Sequence, residues 1–176
     1  MLSIDEILDR LQGRTVADLL DQLALFDSYD RSIALIFAIQ RVSTADALRL
    51  FLEWGNSCDA PWPVRSMYAG RLRCVLTDLN LAEFLAPTER EFYNELPAIV
   101  PVWLGCEAKR ERGLHWTLEQ AVAEEFAWGK RCRNIMPTLV SAQIPKPHIF
   151  AVFLSRAEAE IVVDPRRLRK LRRVLL

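Results

Sequence analysis

Apolar positions in the first half of the chain recur every three to four residues, the spacing of helices with one buried face. Ser3-Ile4-Asp5-Glu6 has the form of a capping box opening a short helix that Gly13 ends. Thr15 with Asp18 starts a second helix, striped by Val16, Leu19, Leu20, Leu23 and Phe26. Residues 30–41 form a third, and its unbroken apolar stretch at 33–39 predicts burial on most sides. Thr44 opens a fourth, with Leu48, Phe51 and Leu52 on one face and Gly55-Asn56 at its end. A loop rich in turn formers over 57–63 leads into a helix over about 64–76, followed by a turn or two over 78–84. After Pro87, Thr88-Glu89-Arg90-Glu91 reads as another capping box, for a helix reaching Glu95.

At Leu96-Pro97 the period changes. Ile99, Val100, Val102, Trp103 and Leu104 form a β-branched and aromatic run that reads as a strand ending at Gly105. A charged turn over 109–113 precedes a brief strand, Gly113-Leu114-His115-Trp116-Thr117. Thr117 with Gln120 then launches an amphipathic helix through Ala121, Val122, Phe126 and Trp128. Three strands follow, over 138–144, 149–154 and 158–163, with the Pro145-Lys146-Pro147 turn between the first two and Asp164-Pro165 closing the last. Leu168, Leu171 and Leu175 recur at i, i+3 and i+7, which predicts a basic amphipathic helix at 166–176. The expected fold class is α+β. A helical part over 1–96 packs on a small mixed sheet over 97–176, as one domain spanning 1–176 without a flexible linker.

Residues 99–165 resemble the second half of ADP-ribosyltransferases of the Arg, Ser-Thr-Ser, Glu-x-Glu type. The segments that carry the resemblance are Val102-Trp103-Leu104-Gly105, then Gly113-Leu114-His115-Trp116-Thr117 with Ala121 and Phe126-Ala127, and Glu158-Ala159-Glu160. The middle pattern is similar to members encoded by phages and mobile elements. The resemblance implies an ADP-ribosyltransferase-like sheet and NAD as cofactor, with transfer to a protein or another macromolecule. In the family the second Glu of Glu-x-Glu faces the positive charge that develops on the ribose, which gives Glu160 the catalytic role. Glu158 then orients or deprotonates the acceptor. Trp116 lies near the nicotinamide, Thr117 near the ribose, and Gly105, His115 and Arg112 border the cofactor pocket. Leu104 stands where the family has its Arg, and His115 where a Ser is common. The same resemblance with Leu104 at that position also fits an inactive phage or mobile-element protein that binds and inhibits a host defence complex.

The residues alone leave plainer roles open. Glu158 and Glu160 share one face of a strand by period-2 alternation, and that face can simply meet water. Trp116 fits a core position, and Thr117 fits a helix cap that needs no cofactor.

Composition narrows the class without naming a chemistry. The chain has 176 residues, 51% hydrophobic and 26% charged, enough to bury a sizeable core. The net charge is zero, but residues 1–60 carry −5 and the remainder +5, with six Lys and Arg within 166–173. No aromatics interleave those charges, so a solvated face is favoured over nucleic-acid binding. The longest apolar run, seven residues, is far below the ~20 of a membrane-spanning helix. Asp5, Glu6 and Asp9 are unlike a secretory leader, so a cytoplasmic protein is expected. Cys58, Cys74, Cys106 and Cys132 form no Cys-x-x-Cys pair, and His115 and His148 lie far apart. Four buried thiols are expected, with no structural metal site. A Cys–His pair assembled by the fold stays open, although no local nucleophile signature surrounds any of the four.

Overall fold

The computed structural model describes residues 1–12, 15–58, 64–129, 134–154 and 159–176. They divide into two compact units, Met1–Asn80 and Leu81–Leu176. Gly13, the expected end of the first helix, and the loop over 59–63 lie outside the described residues.

The first unit holds five helices among the described residues: α1 (Ile4–Arg10), α2 (Val16–Ala24), α3 (Ser28–Arg41), α4 (Thr44–Trp54) and α5 (Arg65–Asp78). The expected capping box at Ser3 forms, and Thr15 at the start of α2 forms another. Ser3 exchanges hydrogen bonds with Glu6, and Thr15 with Asp18, so each pair satisfies two backbone N–H groups that a helix start leaves over. The cap of α3 is Asp27, whose carboxylate accepts from the N–H of Tyr29 and Asp30, and that of α4 is Ser43 rather than Thr44. The apolar run of α3 is central to this unit, with Ala34, Leu35, Ile36, Ala38 and Ile39 fully buried. Arginines satisfy carbonyls at helix ends. Arg71 donates to the carbonyls of Ile39 and Val42 at the end of α3, at 2.9 and 2.8 Å. Arg41 donates to that of Leu11 at 2.9 Å. Buried Tyr68 donates its hydroxyl to the Ser32 carbonyl at 2.6 Å.

The second unit is α+β. Among the described residues it contains α6 (Pro87–Glu95), β1 (Ile99–Glu107), β2 (His115–Thr117), α7 (Gln120–Ala127), β3 (Pro137–Pro145), β4 (Ile149–Phe153), β5 (Glu160–Val163) and β6 (Arg169–Leu175). Pro87 sits at the first position of α6 and Ala86 caps it, so the Thr88 capping box does not form. Proline's φ suits the first helical turn, and the N–H it lacks is one that a helix start leaves unpaired, so the helix begins ahead of Thr88. Lys146 satisfies the other end of α6, donating to the carbonyls of Asn94 and Leu96 at 2.9 and 3.2 Å. No helix among the described residues is long and apolar enough to cross a membrane.

The six strands run in the order β4-β5-β2-β1-β3-β6, and every pairing is antiparallel, which corrects the expected mixed sheet. A second correction concerns the C-terminus. Residues 169–175 form strand β6 on the edge of β3, not a basic helix. The leucine spacing fits a helix, but the backbone of β3 offers hydrogen bonds on both sides of one bulge between Ser141 and Gln143, and that non-local gain decides the outcome. The chain is aimed there by a turn at Asp164-Pro165, where Arg167 N–H donates to the Asp164 carbonyl at 2.9 Å. Leu168 and Leu171 are half-buried in this arrangement, and Leu175 is exposed.

Register places residues in rows across the sheet. Phe153, Glu160, Thr117, Trp103, Ser141 and Arg172 lie opposite one another on β4, β5, β2, β1, β3 and β6. Antiparallel partners share a face, so this row marks one side of the sheet. Helix α7 packs on that side, directly over Gly105. A Cβ at Gly105 would stand 1.7 Å from the Ala123 carbonyl oxygen and 2.5 Å from the Ala127 nitrogen. Ala123 and Ala127 are both fully buried, so the contact is backbone against backbone with small residues on each side.

Candidate active site

Strand β2 has only three residues, and each meets a residue of β5: His115 opposite Val162, Trp116 opposite Ile161, Thr117 opposite Glu160. Alternation puts His115, Thr117, Glu160 and Val162 on the side that carries α7, and Trp116 and Ile161 on the other. His115 and Glu160 are therefore diagonal neighbours, within reach for long side chains. They use that reach. Nδ1 of His115 is hydrogen-bonded to Oε1 of Glu160, with both side chains about three-quarters buried or more. An ionised carboxylate can only accept, so Nδ1 carries the hydrogen and the ring presents Nε2 as its second nitrogen. A carboxylate that fixes a histidine tautomer in this way is an arrangement suited to proton transfer.

The remaining site residues fall in different surroundings. Glu158, the expected partner of Glu160, lies outside the described residues. Thr117 is buried, and its hydroxyl accepts from the N–H of Glu119 at 3.1 Å. The cap of α7 is Glu119, so Thr117 closes a local turn ahead of the helix rather than a capping box with Gln120. Trp116 is 2% exposed and donates its indole N–H to the Gly113 carbonyl at 3.0 Å. It belongs to the core on the face away from Glu160. Gly105 is occupied in packing against α7, as described above. Arg112 is exposed and holds the Pro165 carbonyl at 3.0 Å. Leu104, where the resembled family has arginine, alternates away from Trp103 and so faces away from Glu160 as well.

The cysteines separate by environment. Cys106 is buried, and burial with the nearby Glu111 and Glu107 pushes its thiol up to about 12, which leaves it protonated and inert at neutral pH. Cys58 is half-buried and Cys74 exposed, so the expectation of four buried thiols does not hold for those two. Cys132 lies outside the described residues. No group of three or more His, Cys, Asp or Glu side chains among the described residues is arranged to hold a metal ion.

Two carboxylates organise the strand ends around the site. Glu107 accepts from the N–H groups of Ile135 and Met136 at 2.8 to 3.2 Å, tying the end of β1 to the start of β3. The Met136 N–H first, then those of Ile135 and Ala108, hold its carboxyl below the ordinary glutamate range. Asp164 is buried at the end of β5 and accepts from the Arg166 N–H at 3.0 Å, which fixes the turn toward β6.

The His115–Glu160 bond is a feature of the site that the sequence did not offer. Both residues are named there, but 45 positions separate them, and only strand register shows that they meet. Comparison with protein-family models, curated proteins and solved structures finds no match to this chain.

Proposed function

We propose that this chain is a cytoplasmic, ADP-ribosyltransferase-like protein that uses NAD to modify a protein target. One observation carries the reading. Residues from each of the three segments that resemble the family, distant in sequence, lie level on neighbouring strands in the order β5-β2-β1: Glu160, Thr117 and Trp103. When bound, NAD supplies an ADP-ribosyl group whose bond to nicotinamide breaks with positive charge building on the ribose. Glu160, largely desolvated and held by His115, is suited to stand against that charge. Nδ1 of His115 fixes the carboxylate, while Nε2 can take a proton from an acceptor. These residues fit the ribose end of the cofactor. The phosphate end would need a cation other than position 104, and Arg110 and Arg112 in the turn after β1 are the candidates. Trp116 and Gly105 act as packing residues in this reading.

Leu104 favours a second reading, in which the chain keeps the sheet without catalysis and inhibits a host complex by binding it. Calorimetric titration with NAD separates the two. The transferase reading expects saturable binding that weakens in Arg110→Ala and Arg112→Ala. Absence of binding at millimolar NAD would remove it.

A further inference from the structure

The two ends of the sheet are unlike. At one end β4 is buried at every residue. At the other, β6 pairs with β3 alone among the described residues, and six of its seven residues are exposed. Its free edge therefore presents backbone groups that another extended chain could pair with over Arg172–Leu175, beyond a bulge at 170–171 where Lys170 has φ 50 and the register with β3 shifts.

Side chains along this edge fall into two zones. Arg166, Arg167, Arg169, Lys170 and Arg172 form no ion pair among the described residues, whereas Arg173 is held by Glu111 at 2.8 Å. The end of the strand is apolar: Val174, Leu175 and Leu176 are exposed, and Ile135, 90% exposed, and Met136 lead into β3 beside them. The two groups adjoin, because Leu175 is opposite Thr138 and the Leu176 N–H donates to the Pro137 carbonyl at 3.0 Å. Charge alone would serve to keep an edge from pairing. Exposed apolar residues at the same edge have the opposite effect, and their presence calls for a partner.

We propose that the β6 edge docks an extended acidic segment of another protein, which adds to the sheet as an antiparallel strand. Its leading residues would be apolar, beside Val174 to Leu176, and its following residues acidic, beside Arg172 and Arg169. Backbone hydrogen bonds supply adhesion and the two zones supply register. A second copy of this chain is the wrong occupant, since antiparallel pairing of β6 with itself about Arg172 sets Arg169 and Lys170 against Leu175 and Val174 and Arg172 against its own copy, so neither zone meets its complement. A nucleic acid would use the cations but leave the apolar zone and the open backbone unused. The surface is independent of the NAD chemistry proposed above.

The test is fluorescence anisotropy with the full chain and a labelled, end-capped nine-residue peptide, Val alternating with Thr in its first half and Glu alternating with Thr in its second. The wild-type chain should bind it saturably. Arg169→Glu with Arg172→Glu, both at exposed positions, should weaken binding about tenfold or more with the melting temperature unchanged. N-methylation of alternate peptide nitrogens, which leaves the protein intact, should abolish binding. No saturation by about 1 mM peptide at low salt would overturn the proposal. So would unchanged binding of the N-methylated peptide, tighter binding of a single-stranded oligonucleotide of matching length at the same edge, or a wild-type dimer held together through β6.

Discussion

Replacing Gly105 by alanine drives a methyl group into the backbone of α7. The added carbon would lie 1.7 Å from the Ala123 carbonyl oxygen and 2.5 Å from the Ala127 nitrogen, where real Cβ contacts stay beyond 3.0 Å. Neither atom can swing aside, because both belong to the helix backbone. Relief needs α7 to rise from the sheet by more than about 1 Å, and gaps of about 0.5 to 1 Å already forfeit a quarter to half of the dispersion energy across a packed layer. Overpacking of this kind costs about 1 to 3 kcal/mol, and a backbone-to-backbone clash belongs at the upper end. Alanine recovers some of this, since glycine in a strand is disfavoured by roughly 0.5 to 1 kcal/mol. A net loss of about 2 kcal/mol is expected. The control is Gly70→Ala in α5, where a Cβ meets nothing within 4 Å. That change should stabilise by about 0.5 to 1 kcal/mol through helix propensity. Urea unfolding of the two variants beside wild type reads both. A Gly105→Ala midpoint equal to that of wild type would refute the direct seating of α7 on β1.

Three further predictions concern groups away from that contact. Glu107 has a depressed folded pKa, so its contribution to stability is present above the ordinary carboxylate range and is lost as pH falls through the folded value. The melting difference between wild type and Glu107→Gln should shrink between about pH 7 and pH 3, and a constant difference would contradict the bonds to Ile135 and Met136. Iodoacetamide at about pH 8 should label Cys74 in the folded chain and spare Cys106 until denaturant is added, as mass spectrometry of the peptides would report. Tyr68→Phe should cost about 0.5 to 1.5 kcal/mol in thermal unfolding by removing the buried hydroxyl bond to the Ser32 carbonyl.

What the residues disclosed and what they withheld divides along local and non-local physics. Helices α1 and α2 were legible because their capping boxes and apolar stripes are complete within ten or so residues. Strands β3 and β4 were legible from β-branched runs bounded by proline. β6 was not, because Leu168, Leu171 and Leu175 satisfy a helical period while the competing gain comes from β3, some thirty residues earlier. The Asp164-Pro165 step did carry the turn that aims the chain back, a signal read only as a strand stop. At the site, Glu160, His115 and Thr117 were named from a resemblance, but their shared face depends on the β2–β5 register. That register is a pairing of distant segments, and local propensity has no access to it. Trp116 divides the two kinds of reading: the resemblance set it beside the cofactor, while its residue type alone fits the core position that the pleat gives it.

The most direct test of the account is transfer of label from NAD into host-cell lysate by wild type and Glu160→Gln, compared side by side. Glutamine keeps the shape and can still bond His115, but it removes the negative charge opposed to the ribose. Labelled protein is expected with wild type and a drop of about 10²-fold or more with Glu160→Gln, both chains melting alike. Equal labelling by the two, or none by either, would contradict it.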